Sequence, residues 1–219
     1  QCVADFTGEH AAEEKLRLGA DGFFIRGASI LTPCQRPPLE IYGEIPPGVP
    51  RWGQRYKDHL RENVSRYMAV HAVTEGLPYR GNVVDLDPTY VDDVGVPAAR
   101  IQRHMGQNEI RMARFMYRKC AEILTAAGAS MIWGSEAPFV EGSTTHDAGG
   151  CRMGGDPAAS VTNRYGQMWD LPNVFVGGAA LFPSMSGHGP QETIWALSYW
   201  TADAILRNRV NTADAADLA

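Results

Sequence analysis

The run from Thr145 to Tyr199 constrains the fold more tightly than any other, because glycine and proline divide it at short intervals. Asn173-Val174-Phe175-Val176 lies between Pro172 and Gly177-Gly178, an apolar stretch punctuated on both sides, and it reads as a short strand. A loop of glycine, serine and proline then carries His188 into an apolar helix that reads as buried. Upstream, His146 sits in a second loop of small residues, Thr145-His146-Asp147-Ala148-Gly149-Gly150-Cys151-Arg152-Met153-Gly154. The order strand, glycine loop, helix aims backbone N–H groups beyond the strand's end, where a helix N-terminus favours negative charge. A phosphate or an anionic ring suits such a place.

The rest of the chain bounds what surrounds that run. At 219 residues it can form one large domain or two small ones. Its net charge of -5, without a Lys/Arg stripe, argues against a nucleic-acid binder. No apolar run approaches the ~20 residues of a membrane span. Gln1-Cys2-Val3-Ala4-Asp5 lacks both a basic start and an apolar stretch, so no signal peptide is expected there, and periplasm and cytoplasm both stay open. Cys2, Cys34, Cys120 and Cys151 have neither Cys-x-x-Cys spacing nor a disulfide pattern and read as free thiols, with no metal site implied.

Residues 3–6 and 22–26 read as short strands, with the charged stretch from Glu9 to Arg17 solvated between them. Six prolines between residues 32 and 53 exclude regular helix or central strand, so this is an ordered loop, either a plain surface connection or the border of a substrate entrance. Trp52 to Asn63 reads as a helix and Tyr67 to Val73 as a strand, with His71 a core or sheet-face residue. Asn82 to Pro88 reads as a strand leading into a turn, Asp92 to Pro97 as a hairpin tip, and Ala98 to Met105 as the returning strand. Asp85, Asp87, Asp92 and Asp93 lack the ligand spacing of a calcium loop and read as a solvated turn. Asn108 to Ala127 is the clearest long helix, opening on a capping-type Asn and ending before Gly128. Ile110, Ala113, Tyr117, Cys120 and Leu124 supply its expected buried stripe.

These elements describe an α+β layer followed by the strand-loop-helix edge of a doubly wound domain. The residues also resemble a family. His146-x-x-Gly149-Gly150-Cys151-Arg152-Met153-Gly154 is similar to the His-x-x-Gly-Thr-Cys-Arg-Met-Gly signature of the glucose–methanol–choline (GMC) flavoprotein oxidoreductases. Asn173 through Ile205 resembles the family's closing strand, small-residue turn, Asn-Pro-Thr and apolar helix. Asn163-Arg164-Tyr165 and Ala196 through Ile205 have counterparts in its bacterial sugar and gluconate dehydrogenase branch.

The resemblance implies an antiparallel-sheet substrate domain over residues 1–142, then the catalytic-histidine loop and the C-terminal part of an FAD-binding α/β domain over 143–219. It implies a catalytic half that oxidises an alcohol group of a sugar or polyol by hydride transfer to flavin N5, a dehydrogenase rather than an oxidase. Imidazole suits the proton transfer because its pKa lies near operating pH. His146 falls on the family's catalytic His. The family's second position, an Asn or His before the last helix, falls on Gly189 when Pro190 is matched to its Asn-Pro, so His188, one residue earlier, is the second candidate. Gly178, Ala179 and Ala180 fall where the family's backbone approaches the ribityl and pyrophosphate, and the Gly189-Pro190-Gln191 segment falls near the flavin O2 edge.

The Gly-x-Gly-x-x-Gly turn that holds the ADP part of FAD is missing from this sequence. The expected partner is therefore a separate chain, or an N-terminal half divided from this one by proteolysis, gene splitting or the choice of what was expressed. A quinone or cytochrome is the expected electron acceptor. The competing expectation is a non-catalytic binding or assembly subunit that keeps the fold; a hydroxynitrile-lyase-like use of the scaffold is a third.

Overall fold

A computed structural model describes residues 2–4, 23–32, 45–134 and 146–207. Within these, the chain divides into two compact units. One is formed by residues 1–74 and 107–141, the other by 75–106 and 142–219. Both mix helices with small antiparallel sheets.

In the first unit β1 (Cys2–Ala4), β2 (Ala28–Leu31) and β3 (His71–Thr74) form an antiparallel sheet in that order. Ala28 lies opposite Ala4 on one side and Thr74 on the other. α1 (Gln54–Asn63) precedes β3, and α2 (Gln107–Ala126) packs against the sheet. Phe24, Ala28, Met112, Phe115 and Met116 make the core, with Ile30 and Ala72 against it and the Phe24 and Phe115 rings 5.4 Å apart.

The strand expected at 22–26 is absent from 23–26 and lies instead at Ala28–Leu31. Arg26 has φ 79, which no strand accommodates. Upstream of it, the Asn108 side chain takes the place of a neighbouring strand: its Oδ1 accepts from Ile25 N–H at 2.8 Å and its Nδ2 donates to the Ile25 carbonyl at 3.2 Å. Asn108 is thus a clamp on a distant segment, and the helix it was expected to cap opens one residue earlier. The buried face of α2 also differs from the expected stripe: Glu109, Met112, Phe115, Met116 and Cys120 are buried, while Ile110, Ala113, Tyr117 and Leu124 are half-buried. Both rows satisfy helical spacing, and the sheet chose the one with the bulkier methionine and phenylalanine side chains. Gly128, at φ 82, ends α2 as expected, with Ala129 N–H bonded back to the Leu124 carbonyl.

α1 begins two residues after Trp52, which is 83% exposed. His59 Nε2 bonds the Tyr67 hydroxyl, and the Tyr67 ring meets Trp133 edge-on at 5.6 Å. Burial, helped by the nearby Tyr56 phenol, holds the Tyr67 hydroxyl above its usual pKa. The strand expected at 67–73 is shorter, beginning at His71, which is exposed on the sheet. Cys120 and Cys151 are free; Cys34 and the side chain of Cys2 lie outside the described residues, as do residues 5–22 and 33–44. No helix among the described residues is long and apolar enough to cross a membrane.

In the second unit β4 (Val83–Val91) and β5 (Pro97–Gln102) pair as an antiparallel hairpin. The expected turn at Asp87-Pro88 is a bulge inside β4, where the register shifts between Leu86 and Val91. Asp87 Oδ1 accepts from the N–H groups of Thr89 and Tyr90. Asp92 closes the tip as expected, accepting from Val94 and Val96 N–H, and the returning strand ends at Gln102 rather than Met105. Arg100 grips Asp85 across the ribbon through two nitrogens, at 2.8 and 2.5 Å.

That fork depresses the Asp85 carboxyl below the ordinary carboxylate range, chiefly through the Arg100 hydrogen bond. A lowered folded-state pKa contributes stability above the unfolded value, and the contribution is lost as pH falls through the folded one. A carboxyl-shift NMR titration is therefore expected to show Asp85 protonating below the ordinary carboxylate range, and Arg100→Gln to return it to that range. An Asp85 curve unchanged by Arg100→Gln would remove the fork as its cause.

Candidate active site

The second unit holds both histidine loops. Gly149 and Gly150 adopt φ 89 and 95, a left-handed pair that only glycine takes without strain. The turn they make lays the following chain along a 3₁₀ turn at Gly178–Leu181. Gly149 N–H bonds the Ala179 carbonyl at 2.9 Å, Cys151 N–H the Ala180 carbonyl at 3.1 Å, and Met153 N–H the Leu181 carbonyl at 2.9 Å. Three successive carbonyls, those of Ala179, Ala180 and Leu181, thus receive alternate N–H groups of the histidine loop. His146, half-buried, stands three residues before this ladder begins.

The ladder continues into a buried polar knot. Thr162, Asn163 and Gln167 are buried, and Gly154 N–H bonds the Thr162 carbonyl. Asn163 Oδ1 accepts from the N–H groups of Tyr165 and Gln167, its Nδ2 donates to Gln167 Oε1, and Gln167 Nε2 reaches the Pro172 carbonyl at 2.7 Å. Sequence reasoning passed over this knot; the Asn-x-x-Gly turn from Asn163 to Gly166 was the available signal.

The expected strand at 173–176 is reduced to a single bridge between Gln167 and Phe175. Val174 N–H turns back to the Leu171 carbonyl, so a turn consumes the first half of the run. Only the segment around Phe175 and Val176 is left to pair, with Val176 N–H bonding the Gly166 carbonyl at 2.8 Å.

Past the 3₁₀ turn, the chain runs through Phe182 to His188 and enters α3 (Gln191–Leu206). Met185 bridges Gly76 on the way. His188 is half-buried, and its Nδ1 is enclosed with no hydrogen-bond partner among the described residues. An enclosed ring nitrogen left unpaired costs about 1–3 kcal/mol, so its persistence calls for a group that would meet it. Pro190, the N-cap of α3, supplies no side-chain cap, leaving the first-turn N–H groups, Gln191 among them, to an outside acceptor. Gly189 has open space where a side chain would stand. The start of α3 thus combines an enclosed ring nitrogen, an uncapped first turn and open space at Gly189, which suits a hydrogen-bonding cofactor group.

α3 corrects the expectation of a buried helix. Thr201 and Ala204 are buried and Ile194 and Leu197 half-buried, but Ile205, assigned to the same inner face, is 42% exposed. Trp200 stacks on Tyr165 with ring centres 5.7 Å apart and donates from Nε1 to the Arg164 carbonyl, while Trp195 and Tyr199 face outward rather than into the core. Glu192 is exposed. Arg152 Nε donates to the Ala159 carbonyl at 2.7 Å, so this nitrogen serves its own loop. No group of three or more metal-ligating side chains occurs among the described residues.

The two candidate histidines thus lie in one unit, His146 ahead of the loop laddered onto the 178–181 turn and His188, with an enclosed ring nitrogen, just before α3. Residues 78–198 match the C-terminal model of the GMC oxidoreductases, and the chain belongs to that family of FAD-dependent flavoproteins acting on CH–OH groups. The match begins well ahead of the histidine loops and takes in the hairpin and α2.

Among curated relatives, the chain is 40% identical to the gluconate 2-dehydrogenase flavoprotein of Pantoea cypripedii, over 73% of this chain and 27% of that protein. It is 33% identical to the 2-methyl-1,2-propanediol dehydrogenase of Mycolicibacterium austroafricanum, over 73% of this chain and 29% of the relative. It is 34% identical to the paromamine 6'-oxidase of Streptomyces fradiae, over 69% of this chain and 28% of the relative. The chain thus spans less than a third of the length of these relatives. The resemblance to the sugar and gluconate dehydrogenase branch holds in the first of them.

Proposed function

We propose that this chain is the catalytic portion of an FAD-dependent oxidoreductase that oxidises an alcohol group of a sugar or related polyol. The observation that carries the reading is the junction of the two loops: the ladder from Gly149, Cys151 and Met153 onto Ala179–Leu181, with the unpartnered His188 Nδ1 beyond it. Bound FAD would supply the hydride acceptor, at flavin N5. Gly178, Ala179 and Ala180 would hold its ribityl and pyrophosphate, and Gly189 and Gln191 N–H would donate toward the flavin O2 edge; Pro190 between them has no N–H.

His146 takes the proton from the substrate hydroxyl, and His188 hydrogen-bonds the same oxygen. Residues 1–142 serve the substrate, while 143–219 return the chain to the FAD-binding domain. The remaining FAD contacts come from a polypeptide that carries the Gly-x-Gly-x-x-Gly turn, either a separate chain or an N-terminal half. In this reading the electrons pass on to a quinone or cytochrome rather than to oxygen, in keeping with the dehydrogenase name of the Pantoea relative.

The test is the spectrum of the complete protein. It is expected to carry flavin absorbance that bleaches anaerobically when a sugar, sugar acid or polyol is added. A protein without flavin would sink the reading. Flavin that no alcohol bleaches would favour a non-catalytic assembly subunit. Within the site, Gly189→Asn is expected to fold normally, since its φ is not positive and the space is open, and to restore part of the reduction rate lost in His188→Ala. No recovery would separate His188 from the family's Asn position.

A further inference from the structure

We infer that the Tyr67 hydroxyl is a substrate-recognition donor of the first unit, held in position by His59 and Asn63 to bond an oxygen of the sugar or polyol; this deepens the proposed function and rests on it. His59 and Asn63 lie four residues apart at the end of α1, on one side of the helix. The 3₁₀ turn at Val64–Arg66 then brings the extended Tyr67 back to the His59 ring. Tyr56, His59, Tyr67 and Trp133 are all half-buried.

The hydrogen bonds decide where the Tyr67 proton goes. Asn63 Nδ2 donates to the His59 carbonyl at 3.0 Å, and because a carbonyl only accepts, that bond fixes the orientation of the amide. The same NH₂ group lies 3.5 Å from His59 Nδ1, where a ring proton would meet a second donor. The His59 proton therefore sits on Nε2 and is donated to the Tyr67 oxygen. Tyr67 keeps its own proton, and no further partner of that hydroxyl occurs among the described residues. A merely structural tie between α1 and the chain after it would be complete with either proton on the shared bond. The arrangement found spends the imidazole proton and leaves the phenolic one for a ligand. Burial, helped by the Tyr56 phenol, keeps the hydroxyl protonated at neutral pH, and the Trp133 ring, edge-on at 5.6 Å, holds the Tyr67 ring in place. A fixed neutral donor among aromatic rings suits a polyhydroxylated molecule, whose C–H faces the rings cover while a few placed polar groups select its oxygens.

Steady-state kinetics of the complete flavin-loaded protein with D-glucose, D-gluconate and D-sorbitol test this. With whichever of them bleaches the flavin, Tyr67→Phe is expected to raise KM about three- to tenfold, the share of one hydrogen bond, and to leave kcat within about twofold. His59→Ala is expected to raise KM by a similar factor, and His59→Gln, whose side-chain amide can still donate to Tyr67, to restore it. The Tyr67→Phe/His59→Ala double variant is expected to be no worse than Tyr67→Phe alone, because His59 acts only through Tyr67. An unchanged KM in Tyr67→Phe would overturn the recognition role and leave the flavoenzyme reading standing, whether the hydroxyl then serves solvent or the remaining polypeptide. Additive losses in the double variant, or a lower unfolding midpoint with KM unchanged, would assign the cluster to the packing of α1 and overturn the inference as well. A wild-type protein whose flavin neither these compounds nor any other sugar or polyol bleaches overturns both. Should Tyr67→Phe yield no soluble protein, the comparison of His59→Gln with His59→Ala decides.

Discussion

His146→Ala is expected to slow reduction of the bound flavin by substrate by about 10²- to 10⁴-fold, the range set by losing a positioned base. The visible spectrum should be unchanged. The separation of those two readouts comes from the fold. Gly149, Cys151 and Met153 join the 178–181 turn through backbone N–H groups alone, so removing the imidazole three residues upstream leaves every bond of the ladder in place. The turn assigned to the cofactor would keep its conformation, and only proton transfer would fail. Anaerobic stopped-flow at the flavin band measures the rate, and the absorbance of the resting protein measures occupancy. A variant reduced at the ordinary rate would take the base role away from His146; one that had lost its flavin would show instead that the side chain holds the loop together.

How much of this was legible beforehand depended on whether the information was local. Gly128 at the end of α2 and Asp92 at the hairpin tip were readable because each acts through a turn's own backbone. The two histidine loops were readable through their glycines and through the family resemblance. The α2 face was not, since two rows of that helix satisfy the same spacing and only the sheet decides between them. Asn108 misled for a related reason: its side chain suits an N-cap, but it bonds Ile25, a segment 83 residues away. The strand expected at 173–176 failed because the turn at Leu171 and Val174 competes for the same residues. The last helix was expected to be buried, and its outer side, with Trp195 and Tyr199, is left uncovered by the described residues of the second unit.

Gly166→Ala is the substitution expected to damage the second unit most. Gly166 has φ 76, and a methyl group there would stand 2.6 Å from the Val176 carbonyl oxygen and 3.2 Å from Thr201 Oγ1. The left-handed backbone alone costs an alanine about 1–2 kcal/mol. The carbonyl contact adds more, because the atom in the way belongs to backbone that cannot swing aside like a side chain. Val176 N–H also bonds the Gly166 carbonyl at 2.8 Å, so moving Val176 away sacrifices that bond too. Together these place the loss at about 3–5 kcal/mol, at the upper end for single substitutions. Gly128→Ala is the control, for Gly128 has φ 82 but open space around it, and so should lose only the backbone share. Denaturant midpoints of the two variants, followed by flavin release, separate the effects. The displaced Val176 leads into Gly177 and the 178–181 turn, so Gly166→Ala should release FAD earlier than Gly128→Ala by more than their positive φ values explain. Equal midpoints would mean that the Asn163–Gln167 knot yields to the methyl group, and that the ladder beneath the two histidine loops does not depend on it.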